Sequence, residues 1–173
     1  QPWARVDSLA QIKFDALVFG VGGGYKLTEA FTTGLMTTLP NIKQLDVHIL
    51  YGEPSSMVQV SRLLDHYSGG GQLVKCSLAL YCYYSKVDPL PGLVSLFDSI
   101  NHLHSSLRHL TLYLHLPTSI PFSPSLSILS SLSSFSIYSH GLNQGDDKSW
   151  LLGLINPVTT PNGSIDCDLS IDL

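Results

Sequence analysis

The stretch at 107–116 reads LRHLTLYLHL: an apolar residue, a gap of two, then strict alternation of leucine with polar or aromatic residues. Such alternation has the period of a strand with one buried face, because successive side chains leave a strand on opposite sides. The phrase recurs. LPNIKQLDVHIL places Leu39, Ile42, Leu45, Val47 and Ile49 in the same pattern, QLVKCSLALYC places Leu73, Cys76, Leu78 and Leu80, and LSSFSIYSH places Leu132, Phe135 and Ile137. Weaker copies are FDALVFG, with Phe14, Leu17 and Phe19, and SIDCDLSIDL, with Ile165, Cys167, Leu169 and Ile171. Aligned on the residue that follows the gap (Leu17, Leu45, Cys76, Leu110, Phe135), the copies lie 28, 31, 34 and 25 residues apart. Recurrence at a few tens of residues marks an array of like units, none of which can bury its apolar face alone.

Between these strands the spacing predicts helices. Residues 25–38 carry Leu27, Phe31 and Leu35 on one face, with Thr28 as a start signal; residues 55–67 carry Val60, Leu63 and Leu64 and end at Gly69, Gly70 and Gly71, where positive φ suits a helix terminus. Residues 91–103 open on Pro91, whose missing N–H costs little in a first turn, and place Leu93, Leu96, Phe97 and Ile100 three and four apart. Shorter helices are expected over 123–131 and over 147–155, the latter capped by Asp147 with Trp150, Leu151 and Leu154 inward.

Strand and helix in alternation imply right-handed crossovers and a parallel sheet. A parallel sheet covered on both faces shows near-continuous apolar runs, whereas these strands interleave Asp46, His48, Ser77, Thr111, Tyr113, Ser136 and Tyr138. One face is therefore wet. The expectation is an α/β chain forming a short irregular solenoid over 1–173 as a single domain, with a curved parallel sheet of about six strands and helices on the convex side.

Composition narrows the function. A chain of 173 residues, 44% of them hydrophobic, can bury about two thirds of the surface its unfolded form exposes, so it is a folded domain and not a tail. Charged residues make up 13% and the net charge is −4, with no basic stripe for a phosphate backbone, so no nucleic-acid partner is expected. No apolar run reaches the length of a membrane span, and a membrane role is not expected either. Cys76, Cys82 and Cys167 lack the spacing of a zinc site or a disulfide framework and read as small buried hydrophobes. The chain begins at Gln1 and not at Met, which reads as a fragment or a processed product.

Rival chemistries fail on spacing. FGVGGGYK is a glycine-rich loop between strand and helix, but the third glycine of G-x-G-x-x-G would fall on Tyr25, and Lys26 is followed by Leu27 where a phosphate-binding loop needs Ser or Thr. His102 and His104 would face apart on a helix, no carboxylate or cysteine stands at ligand spacing, and neither a G-x-S-x-G elbow nor a CxxC is present. The sequence reading is therefore of a non-enzyme without cofactor or metal.

The LxxLxL phrase followed by a helix resembles the leucine-rich repeat, and LRHLTLYLHL and LSSLSSFSIYSH, at 25 to 34 residues, resemble the repeat regions of fungal F-box-type proteins. The resemblance covers nearly the whole chain and departs where Tyr81 and His115 replace the asparagine of regular repeats; no F-box helix motif is present. It implies a protein-binding scaffold, in the F-box setting the substrate-recognition part of a ubiquitin-ligase receptor, working in cytoplasm or nucleus.

The binding residues then come from the alternation. Outward positions align in rows: Asp46, Ser77, Thr111 and Ser136; His48, Ala79, Tyr113 and Tyr138; Leu50, Tyr81, His115 and His140; the last strand adds Asp166, Asp168 and Asp172. Asp46, His48, Tyr81, Thr111, Tyr113, His115, Tyr138 and His140 are the expected surface for a protein or peptide ligand, since tyrosine offers large area and a hydroxyl at small entropic cost. The alternative is a small secreted carbohydrate-binding or defence protein using the same aromatics, a setting that the glycosylation acceptor Asn162-Gly163-Ser164 would suit.

Overall fold

The structure, a computed structural model, describes residues 15–22, 25–50, 53–82, 87–103, 106–116, 126, 132–140 and 166–172, the last two of the 132–140 stretch and all of 166–172 through their backbone. In chain order the elements are β1 (Ala16–Val21), α1 (Glu29–Thr38), β2 (Gln44–Leu50), α2 (Pro54–Gly69), β3 (Lys75–Tyr81), α3 (Leu90–His102), β4 (His109–His115), β5 (Ser134–His140) and β6 (Asp166–Asp172). The strands form one sheet in sequential order, every neighbouring pair parallel. The fold is thus α/β with a parallel sheet.

The register follows the apolar phrase. Leu17 pairs with Leu45, Leu45 with Cys76, Cys76 with Leu110, Leu110 with Phe135 and Phe135 with Cys167, which is the alignment on the residue after the two-residue gap. At each strand entry, two successive N–H groups donate to one carbonyl of the preceding unit. Lys43 and Gln44 donate to Asp15, Val74 and Lys75 to Lys43, Arg108 and His109 to Val74, and Ser133 and Ser134 to Arg108, at distances between 2.7 and 3.1 Å. Both orphan donors at each entry are thereby satisfied, and the shared acceptor fixes where the next strand begins.

The inward apolar residues of β2 to β5 are buried and share one cluster with Met57, Val60, Leu63 and Leu64 of α2 and Leu93, Leu96, Phe97 and Ile100 of α3. Each such side chain stabilises the fold by about 1.5–3 kcal/mol relative to exposure, against about 0–1 kcal/mol for surface ion pairs such as Arg62–Glu29 or Lys26–Glu53. The core therefore dominates. Among its polar members, Ser56 Oγ accepts from Leu27 N at 3.1 Å and Tyr67 donates to the Leu39 carbonyl at 3.0 Å, while Ser106 Oγ is buried without a hydrogen-bond partner among the described residues. β1, first in the sheet, keeps Leu17 and Phe19 only partly buried.

The helices depart from expectation in detail. The first begins at Glu29 and not at 25, because Thr28 caps it by accepting from Phe31 N at 3.3 Å. Its fully buried residue is Thr32, whose hydroxyl returns to the Thr28 carbonyl at 3.0 Å; Leu35 packs partly buried against the core, and Phe31, expected inward, meets Phe19 edge-on with ring centroids 6.4 Å apart yet is 51% exposed. The second extends over the expected segment, and Gly71 behind it takes a φ of +60°. In the third, Leu93, Leu96, Phe97 and Ile100 all face the core as the spacing predicts. The helices expected over 123–131 and 147–155 lie outside the described residues, apart from Leu126, which is buried in the core.

α2 and α3 meet at a glycine. A Cβ on Gly92 would lie 2.9 Å from Met57 Cβ and Sδ and 3.0 Å from Pro54 Cα, so the absent side chain sets the closeness of the two helices. Gly92→Ala should destabilise the protein by about 1–3 kcal/mol through overpacking. Gly34→Ala, in open space on α1, should stabilise it by about 0.5–1 kcal/mol through helix propensity. Thermal unfolding of the two variants side by side checks the contrast; a neutral Gly92→Ala would mean the helices are not in contact there.

Candidate functional site

The face of the sheet opposite the core is left half-exposed among the described residues, and the register builds it row by row. Val18, Asp46, Ser77, Thr111, Ser136 and Asp168 align in one row, and Gly20, His48, Ala79, Tyr113, Tyr138 and Ser170 in the next. Beyond them Leu50 pairs with Tyr81 and Tyr81 with His115, while His140 pairs with Asp172. Neighbouring strands lie about 4.7–4.9 Å apart, so aromatic side chains in register on adjacent strands come to stacking distance with no further adjustment.

Two such stacks form. Tyr113 and Tyr138 have ring centroids 4.6 Å apart and planes within 10° of parallel, and Tyr81 and His115 lie at 4.4 Å and 27°. On β2, Asp46 and His48 leave the same face two residues apart, with Oδ1 and Nε2 3.3 Å from each other. That contact is close in distance but lacks hydrogen-bond geometry, and the Asp46 oxygen is buried without a hydrogen-bond partner. Burial first, then the neighbouring Tyr138, Asp46 and Tyr81, hold the Tyr113 phenol above its ordinary pKa.

Of the expected ligand-binding residues, Asp46, His48, Tyr81, Thr111, Tyr113, His115 and Tyr138 stand on this one face, and the backbone register puts His140 on it as well. Ala79, read as an outward position, is instead fully buried. It sits between His48 and Tyr113 in the row and next to Tyr81 along the face, and these larger side chains close over a methyl group. On β2 to β5 sequence reasoning also stopped one row short, naming only Asp166 on the last strand from the row beyond. Gln44, Lys75, His109, Ser134 and Asp166 align as a further row, visible had the alternation been carried two residues back from Asp46.

Elsewhere the chemistry is quiet. Cys76 and Cys82 are buried, and desolvation pushes both thiols up to about 12, with the Asp46 charge adding to the effect at Cys76. Such thiols stay protonated at neutral pH and are inert as nucleophiles. Gly22 of the glycine-rich loop faces Leu50, whose Cβ would lie 2.8 Å from an added Cβ, so the glycine serves close packing; Gly23 and Gly24 lie outside the described residues. His102 lies 3.0 Å from Asp65 on the helix surface. Among the described residues no three His, Cys, Asp or Glu side chains gather as a metal site would require, and no helix is long and apolar enough to cross a membrane.

No family model matches the chain, and neither a curated protein nor a solved structure matches it.

The buried thiols give a pH dependence. Because the folded state holds these protons to about 12 while the ordinary thiol releases its own near 9.0, their contribution to stability is complete below pH 9 and is lost as pH rises toward 12. In a Cys167→Ser background, a chromogenic disulfide reagent at pH 7.5 should label Cys76 and Cys82 only at the rate of unfolding. Rapid labelling of the native protein would show that the two thiols are reachable.

Proposed function

We propose that the chain is a non-catalytic interaction module, a short leucine-rich-repeat-like solenoid that takes a protein or peptide on its open sheet face. The observation that carries this reading is the pair of aromatic stacks, Tyr113–Tyr138 and Tyr81–His115, side by side on a face that no described element covers. Aromatic area held rigid at a surface meets a partner at small conformational cost, and tyrosine is enriched among residues that dominate interface energies. The recurring strand entry, with two N–H groups on one carbonyl at Asp15, Lys43, Val74 and Arg108, supports the repeat character, since these carbonyls follow the spacing of the apolar phrases. The F-box resemblance would make this the substrate-recognition region of a ubiquitin-ligase receptor.

The stacks also speak against the sugar-binding alternative. Sugar rings pack on an open aromatic face, whereas Tyr113 and Tyr138 turn a face toward each other. A displayed peptide library and an oligosaccharide array, each probed with the native protein and with Tyr113→Ala/Tyr138→Ala, separate the readings. Peptides selected by the native protein should lose about 30-fold or more in affinity for the double variant. The variant's melting temperature should fall by no more than about 6 °C, the cost of one aromatic pair. Unchanged peptide affinity, or selection of sugars alone, would sink the proposal.

A further inference from the structure

Resting on the peptide-binding reading, we propose that Ala79 is the positioning residue of the aromatic face: its methyl group leaves the space that Tyr113 leans into, and a larger side chain at 79 costs the face its peptide. Ala79 is the exception on that face. It is fully removed from solvent, whereas its row neighbours His48 and Tyr113 and its strand neighbours Ser77 and Tyr81 all keep some exposure. A methyl group with no accessible surface is roofed by side chains taller than itself, packed to the density of a protein interior.

The register identifies the roof. Ala79 pairs with Tyr113 on one side and with His48 on the other, and Tyr81 follows it two residues on along the same face. Tyr113 gives one ring face to Tyr138, on the β5 side, at 4.6 Å. Its other face therefore turns toward β3, where Ala79 is its partner. The Tyr113 phenol is also close enough to Asp46 on β2 and Tyr81 on β3 for each to raise its pKa. Asp46 lies two strands away, about 9.6 Å at the backbone, a reach that a ring leaning across β3 supplies. Tyr81 gives a ring face to His115, so both stacks border the same alanine. A closed site takes extra volume only by moving its walls, and here the walls are the Tyr113 and Tyr81 rings. Residue 79 thus acts on the peptide through those rings without touching it.

The test takes the peptide most enriched by the native protein in the displayed library, labels it with fluorescein and titrates it by anisotropy against the native protein, Ala79→Ser and Ala79→Leu, with nuclear Overhauser effects recorded on each protein. In the native protein the Ala79 methyl should show effects to the Tyr113 ring; their absence overturns the proposal whether or not any variant folds. Ala79→Ser, nearly the same size, should bind within about twofold of the native protein, whereas Ala79→Leu should bind about tenfold more weakly and lose the ring-to-ring effects between Tyr113 and Tyr138. Ala79→Val, with the same expectation, serves where Ala79→Leu fails to fold. If the larger residue leaves binding unchanged, or weakens it with the ring-to-ring effects intact, the positioning role is wrong while the peptide-binding reading stands. If no peptide is enriched, the peptide-binding reading is wrong and the proposal falls with it.

Discussion

The structure depends on burying one face of a parallel sheet and leaving the other wet. Leu45, Val47 and Ile49 on β2, Leu78 and Leu80 on β3, Leu110, Leu112 and Leu114 on β4, and Phe135 and Ile137 on β5 are all fully removed from solvent. A slip of one residue in any strand would turn its whole apolar set to water, at about 1.5–3 kcal/mol for each side chain. That cost exceeds what turns or surface charges contribute and selects one register. The paired N–H donors at Lys43, Val74, Arg108 and Ser133 then hold each strand start in step with its predecessor. Backbone carbonyls do the aligning.

The aromatic face follows from the same constraint. Once Leu112 and Leu114 are inward, Tyr113 between them has only the opposite face available, and Tyr138 reaches the same row because Leu112 pairs with Ile137. Strand spacing then sets the ring separation. The proposed binding face occupies positions that the core leaves over. Ala79 belongs to the same arrangement, since a small residue in the row lets His48, Tyr81 and Tyr113 close over it.

Much of this was legible in the sequence. The inward residues and the pairing of Leu17, Leu45, Cys76, Leu110 and Phe135 could be read because a period of two is a local property that burial reinforces. Thr28 and the proline-led start of α3 were legible as local cap chemistry. Details that depend on neighbours were not. Phe31 stays half exposed although its ring meets Phe19 edge-on, because β1 is the edge strand of the described sheet, and Thr32 can be buried because it returns its hydroxyl to its own helix. The close passage of Gly92 and Met57 joins residues 35 apart in sequence and leaves no local trace. Lys75 and His109 were missed because their strands begin with polar residues, before the apolar signal starts.

The most direct test of the account is where the Tyr113 and Tyr138 rings lie, measured by nuclear Overhauser effects in a sample with labelled methyl and aromatic groups. The account predicts ring-to-ring effects between Tyr113 and Tyr138 and none from either ring to the methyls of Leu63, Leu93 or Leu96. Effects from the rings to those methyls would place the tyrosines in the core, shift the register by one residue and remove the proposed binding face.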